Sequence, residues 1–143
     1  MWKEPLKKVV ELERSFGGEL RSGATPEAAN AFASKVKKRY GMILPAAYIE
    51  FLTYVDGYDF NGHCVFGTSK SADDDLSMVE SNKFFHKNRN LKRYWFFGTS
   101  DISWYAFDRK VKRYIETDAS EIVWEQYATF DELLTKIISD SLF

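Results

Sequence analysis

The stretch RYWFFGTSDISWYAFDRKVKRYIET (93–117) decides the fold. It holds three runs rich in aromatic and β-branched residues: RYWFFG (93–98), SWYAFD (103–108) and VKRYIET (111–117). Such runs read as strands. The gaps between them are too short for the crossover that parallel neighbours need, so these strands pair antiparallel. Asp108-Arg109-Lys110 reads as the tight turn between the last two. Downstream, EIVWEQY (121–127) predicts one more strand. Upstream, Tyr58 and Phe60 lead into Asn61-Gly62, and Cys64 and Phe66 follow. Asn-Gly between alternating apolar residues is a strong hairpin signal.

Helical periodicity flanks the strands. Leu6, Val9, Val10 and Phe16 form a first stripe, closed by Gly17 and Gly18. Thr25 caps a second helix, Pro26 suits its first position, and Ala29, Phe32, Val36 and Tyr40 form its buried face. In LPAAYIEFLTYVDG (44–57), Pro45 is placed at the first helical position and Gly57 as the C-terminal cap. Leu44, Tyr48, Leu52 and Val55 line one face, with Phe51 beside them. A helix over roughly 75–87 is expected after the polar KSADDD (70–75), capped by Asp73, Asp74 or Asp75, with Leu76, Val79 and Phe85 inward. The chain closes on Thr129 and Glu132 at capping-box spacing and a stripe of Phe130, Leu133, Leu134, Ile137 and Ile138. The prediction is a single α+β domain over 1–143. Its antiparallel-dominated sheet of five to six strands packs against helices from both ends of the chain.

Composition bounds the function. The 143 residues are 45% apolar, 17% aromatic and 29% charged, enough for one core and unlike a disordered chain. A net charge of −1 gives no global field for nucleic acid or an anionic membrane. The single cysteine, Cys64, excludes an internal disulfide. No apolar run approaches the roughly 18 residues of a membrane span, and Met-Trp-Lys-Glu-Pro lacks the apolar region of a signal peptide. These features predict a cytoplasmic soluble protein.

No motif carries catalysis or a cofactor. GHCVFGTS (62–69) spaces Gly62 and Gly67 like a phosphate loop, but Thr68 stands where the lysine is needed. GTSDI (98–102) places Ile102 where a nucleophile elbow needs its second glycine; a turn with Ser100 or Asp101 bonding the backbone is expected instead. His63 and Cys64 fall short of a zinc ligand set, and alternation puts Cys64 with Phe66 toward the core. No carboxylate pair has the apolar setting and partner that tune a pKa. The expectation is no enzyme, no metal and no cofactor.

Charge clustering says more. SNKFFHKNRNLKR (81–93) carries five Lys/Arg and no acid. YIETDASEIVWEQY (114–127) carries Glu116, Asp118, Glu121 and Glu125 and no base, and Asp73, Asp74 and Asp75 add a second acidic point. Separated fields of opposite sign suit guided binding to a charged protein. Strand alternation predicts Glu121, Val123 and Glu125 on the exposed face, with Ile122, Trp124 and Gln126 toward the helices. The competing use of the charge is nucleic-acid binding by the 81–93 segment.

Leu-Pro-x-x-Tyr, an apolar helix, Asp56-Gly57 and then a Phe/Gly hairpin resemble the SUKH superfamily of SMI/KNR-like fungal cell-wall regulators and bacterial immunity proteins. Leu44, Pro45, Tyr48, Phe51, Leu52 and Gly57 carry the likeness. So does FFGTSDISWYAFD (96–108), similar to the family's glycine turn at Gly98 and strand ending in Asp108. YATFDELL (127–134) is similar to its final helix, and Asn82 to its asparagine on the internal helix. The likeness spans about residues 25 to 138. It implies a non-catalytic domain that binds a protein, in bacteria a toxin, often a nuclease, neutralised in the producer's cytoplasm. A regulatory scaffold for a signalling or cell-wall-synthesis partner is the alternative. The net charge of −1 departs from strongly acidic nuclease inhibitors.

Overall fold

The computed structural model describes residues 1–69, 71 and 73–143. From the N-terminus the chain forms helices α1 (Lys3–Ser15), α2 (Pro26–Tyr40) and α3 (Ala46–Tyr54), then a hairpin of β1 (Tyr58–Phe60) and β2 (His63–Val65). Helix α4 (Met78–Phe85), strands β3 (Tyr94–Ser100), β4 (Trp104–Asp108), β5 (Arg113–Thr117) and β6 (Glu125–Tyr127), and helix α5 (Phe130–Ser141) follow. The six strands make one sheet in chain order, each neighbouring pair antiparallel. This is the α+β architecture expected from the strand spacing.

Helices from both chain ends meet on one face of the sheet. Tyr48 of α3, Phe97 of β3 and Phe130 of α5 form an aromatic cluster with centroid separations of 5.2, 5.6 and 4.8 Å. The Tyr48 hydroxyl donates to the Phe66 carbonyl at 2.6 Å, so this buried phenol leaves no donor unpaired. Leu44, Phe51, Leu52 and the whole α5 stripe are buried around the cluster. Helix α1 packs outside on α5, and α2 on α3. The β1–β2 turn uses Asn61 and Gly62, both at positive φ, and the Asn61 amide donates to the Ser141 carbonyl at 2.9 Å. Strands β2 and β3 pack so closely that a Cβ on Gly98 would stand 2.1 Å from the Cys64 carbonyl oxygen.

Several boundaries differ from the sequence reading, each for a local reason. Pro45 is the extended N-cap of α3 rather than its first helical residue, and Val55, also extended, is its C-cap. Gly57 lies two residues beyond, at φ +95°, where its missing side chain admits Arg21 and Leu76. Phe16 falls past the end of α1 and is exposed. Helix α4 starts at Met78, capped by the Ser77 hydroxyl accepting from the Glu80 N–H at 3.2 Å, not by Asp73, Asp74 or Asp75. The chain before it turns at Asp74 and then bridges Gly67 at Ser77. Gly67 N–H donates to the Leu76 carbonyl at 2.7 Å, and Met78 N–H to the Gly67 carbonyl at 2.9 Å. Cys64 is half-buried rather than in the core, with its thiol 3.5 Å from Asp59 Oδ1. Burial, then Asp59, pushes that thiol up to about 12, so the reactive thiolate is scarce at neutral pH.

Candidate partner-binding surface

The acidic segment turns on one cross-strand pair. Antiparallel pairing of β5 and β6 sets Glu116 directly opposite Glu125. Like charges in that relation repel. Asp140, from the end of α5, lines the same cavity of about 250 Å³ as Glu116, Tyr105, His63 and Asp101. Lys136 hydrogen-bonds Asp140. That bond raises the Lys136 pKa first, and the Glu116 charge adds to it. The Tyr127 hydroxyl is buried here with no partner among the described residues. Burial pushes its pKa up, and Glu116, Glu125 and Asp140 push it further.

The segment between these strands departs from the expected alternation. Only Glu125–Tyr127 is strand. Asp118 takes the Ser120 N–H and hydroxyl on its side chain. Its carbonyl accepts from the Glu121 N–H at 2.9 Å, and Glu121 turns to φ +61°. The hydrogen bond from Ser120 is the main influence holding Asp118 below its ordinary pKa. A turn stabilised by its own Asp and Ser displaces the strand. Ile122, Val123 and Trp124 are therefore 61%, 39% and 44% exposed, where alternation placed Ile122 and Trp124 against the helices. Trp124 N–H still donates to the Glu116 carbonyl at 2.8 Å, and Thr117 Oγ1 to the Ile122 carbonyl at 2.8 Å. The loop thus presents three apolar side chains beside four acids. Glu116 and Glu125 share one face of the sheet, whereas Glu121 reaches the neighbourhood of Arg93 and Tyr94, whose ionisation its charge influences.

The Asp73–Asp75 loop is a separate place. Asp74 is buried and takes a bidentate pair of bonds from Arg21, at 3.0 and 2.7 Å, and one from the Leu76 N–H at 3.0 Å. It is committed to the fold, which removes it from any contact surface. Asp73 and Asp75 are exposed on a groove of about 450 Å³ beside Glu80 and Phe84. That groove follows α4, which packs on β3, whereas Glu125 lies on β6. Three strand spacings separate β3 from β6, about 14 Å.

The residues of the SUKH likeness do structural work. Asp108 is buried and receives Arg93 Nε at 3.1 Å, Arg93 Nη2 at 2.5 Å and the Lys110 N–H at 3.0 Å. Burial alone works to raise its pKa, but the Arg93 bond and the turn amides prevail and hold it below the ordinary carboxylate value. Ser100 Oγ accepts from the Ile102 and Ser103 N–H groups, as a strand-joining turn requires. Among the described residues no group of three His, Cys, Asp or Glu is set to hold a metal ion. No described helix is long and apolar enough to cross a membrane. No protein-family model and no curated protein matches the chain. Sequence reading did not single out Asp140 or Lys136. The Lys136–Asp140 spacing of four residues on one helix face is the only local signal they carry.

Proposed function

We propose that the chain is a non-catalytic protein-binding domain whose acidic outer strand holds a basic partner. The opposition of Glu116 and Glu125, with Asp140 beside them, carries this reading. Glu116 and Glu125 oppose each other with no cation bonded to either among the described residues, while Lys136 is taken by Asp140. Like charges so placed repel, and a docking cation relieves that repulsion. Trp124, exposed next to these acids, has the chemistry of an interface anchor, and the surrounding carboxylates that of a rim. The SUKH resemblance extends the reading to an immunity protein acting in the cytoplasm of the producing cell. A toxin that cleaves nucleic acid needs a basic substrate groove, and an acidic edge complements one.

The test is a binding titration against the protein encoded beside this one in the genome, at two salt concentrations. Reversing Glu116 and Glu125 to lysine is expected to slow association by roughly tenfold or more, and added salt to slow the parent but not the variant. Trp124→Ala is expected to speed dissociation. Binding indifferent to both changes rules the surface out, and turnover of any substrate rules out the non-catalytic role.

A further inference from the structure

The end of the sheet where β3 begins and β4 ends gathers cations. The pairing of Tyr94 with Asp108, and of Asp108 with Arg113, brings the segments 86–93 and 109–113 together there. Between them they carry Lys87, Arg89, Lys92, Arg93, Arg109, Lys110, Lys112 and Arg113, with no carboxylate. Asp108, at the turn, is taken by Arg93. Lys87, Arg89, Lys92, Lys110 and Lys112 are exposed and form no ion pair among the described residues.

Arg109 stands out in this group. Its guanidinium lies over the Trp95 ring, 5.4 Å from the centroid, and its Nε is buried without a partner among the described residues. Burial alone shifts its pKa, downward; no carboxylate acts on it. His86 rests against the same indole at 6.1 Å, with Nε2 on the Tyr94 carbonyl at 2.7 Å. Burial, and then the charges of Arg109 and Lys92, hold His86 below its ordinary pKa. Tyr40, which follows Lys37, Lys38 and Arg39 at the end of α2, also packs against Trp95, at 5.5 Å. A buried guanidinium donor is ordinarily paired. An unpaired one among uncompensated cations lacks an anion.

We propose that Arg109 and Lys92 form an oxyanion site, with Trp95 as its platform, for a phosphate group. Guanidinium presents the planar fork that phosphate takes bidentately, and a multiply charged anion draws on several cations where a carboxylate needs one. Binding turns the guanidinium from the indole toward the ligand and gives its donors acceptors. The phosphate comes either from a small phosphorylated molecule or from a nucleic-acid backbone. The site lies at the opposite end of β5 from Glu116, so it does not depend on the partner reading above.

The probe is the Trp95 indole N–H resonance of the full chain. It is titrated with inorganic pyrophosphate, with a short single-stranded oligonucleotide, and with chloride at matched ionic strength. Saturable shifts with pyrophosphate identify a small phosphorylated ligand. Saturation by the oligonucleotide alone identifies the backbone. Arg109→Gln is expected to weaken either by about tenfold and Lys92→Gln by about threefold, as loss of a charge-assisted bond implies. Lys8→Gln, at an exposed position of α1, is expected to change nothing. Shifts reproduced by chloride, no saturation with either phosphate probe, or undiminished binding by Arg109→Gln and Lys92→Gln overturn the site.

Discussion

The side-chain amide of Asn82 grips the main chain of Phe96 at both of its polar groups. Oδ1 accepts from the Phe96 N–H at 2.8 Å and Nδ2 donates to its carbonyl at 3.0 Å, while Nδ2 also reaches the Met78 carbonyl at 2.9 Å. Strand β2 ends at Val65, and α4 lies against β3 there instead. The asparagine thus replaces a missing strand along this part of β3. Phe85 stacks on the Phe96 ring at 4.0 Å, fastening helix to sheet a second time.

Asn82→Ala leaves a buried N–H and a buried carbonyl unmet, and each such group costs about 1–3 kcal/mol. A loss of about 2–4 kcal/mol in denaturant unfolding is expected. Asn82→Asp keeps the acceptor but loses the donor and buries charge, so it is expected to be no better. A loss below about 1 kcal/mol for both variants contradicts the bridging role.

Glu125→Gln removes the charge facing Glu116. It is expected to raise stability by about 0.2–1 kcal/mol at low salt, with the gain shrinking as salt is added. The same variant is expected to bind a basic partner more slowly. Stability and binding therefore move in opposite directions, which a purely structural glutamate does not do.

Asp108 sets an acid limit. Its folded pKa lies below the ordinary value, so its contribution is fully present above the unfolded pKa of about 3.9 and is lost as pH falls through the folded value. Asp108→Asn is expected to cost about 1–3 kcal/mol at pH 7, where a charged hydrogen-bond acceptor is lost, and progressively less below about pH 4. A constant difference from pH 7 to pH 3 in thermal melts refutes this.

Two changes test the core. Leu52→Ala, fully buried on α3, is expected to cost about 2–5 kcal/mol through lost transfer energy and the cavity left behind. Gly98→Ala forces a methyl against the Cys64 carbonyl, so β2 and β3 must part. It is expected to melt well below the parent, although alanine suits a strand's interior better than glycine does.

Elements that stabilise themselves locally were legible. The stripe and Thr129 cap of α5, the Thr25 cap of α2 and the Asn61-Gly62 turn all depend on neighbours a few residues away. Readings failed where a distant partner or an unrecognised local turn decided the outcome. Asp74 looked like surface because Arg21, its partner, lies 53 residues earlier. Ile122 and Trp124 read as inward only while period-two alternation runs through a segment that Asp118 and Ser120 bend into a turn. Glu116 and Glu125 both read as contact residues, yet their direct opposition follows only from the length of that turn. The unpaired state of Arg109 has no trace in the local sequence, where it reads as one turn residue among many.

The outer strands, β1 and β6, are only three residues long, and each carries an acid, Asp59 and Glu125. An unpaired strand edge is a template on which further copies can stack into aggregates. A short, charged edge offers few free peptide groups and repels its own duplicate. The carboxylates that strain the sheet at β6 thereby also keep it from growing, so neutralising Glu125 carries a colloidal penalty at high protein concentration even where the single molecule melts later.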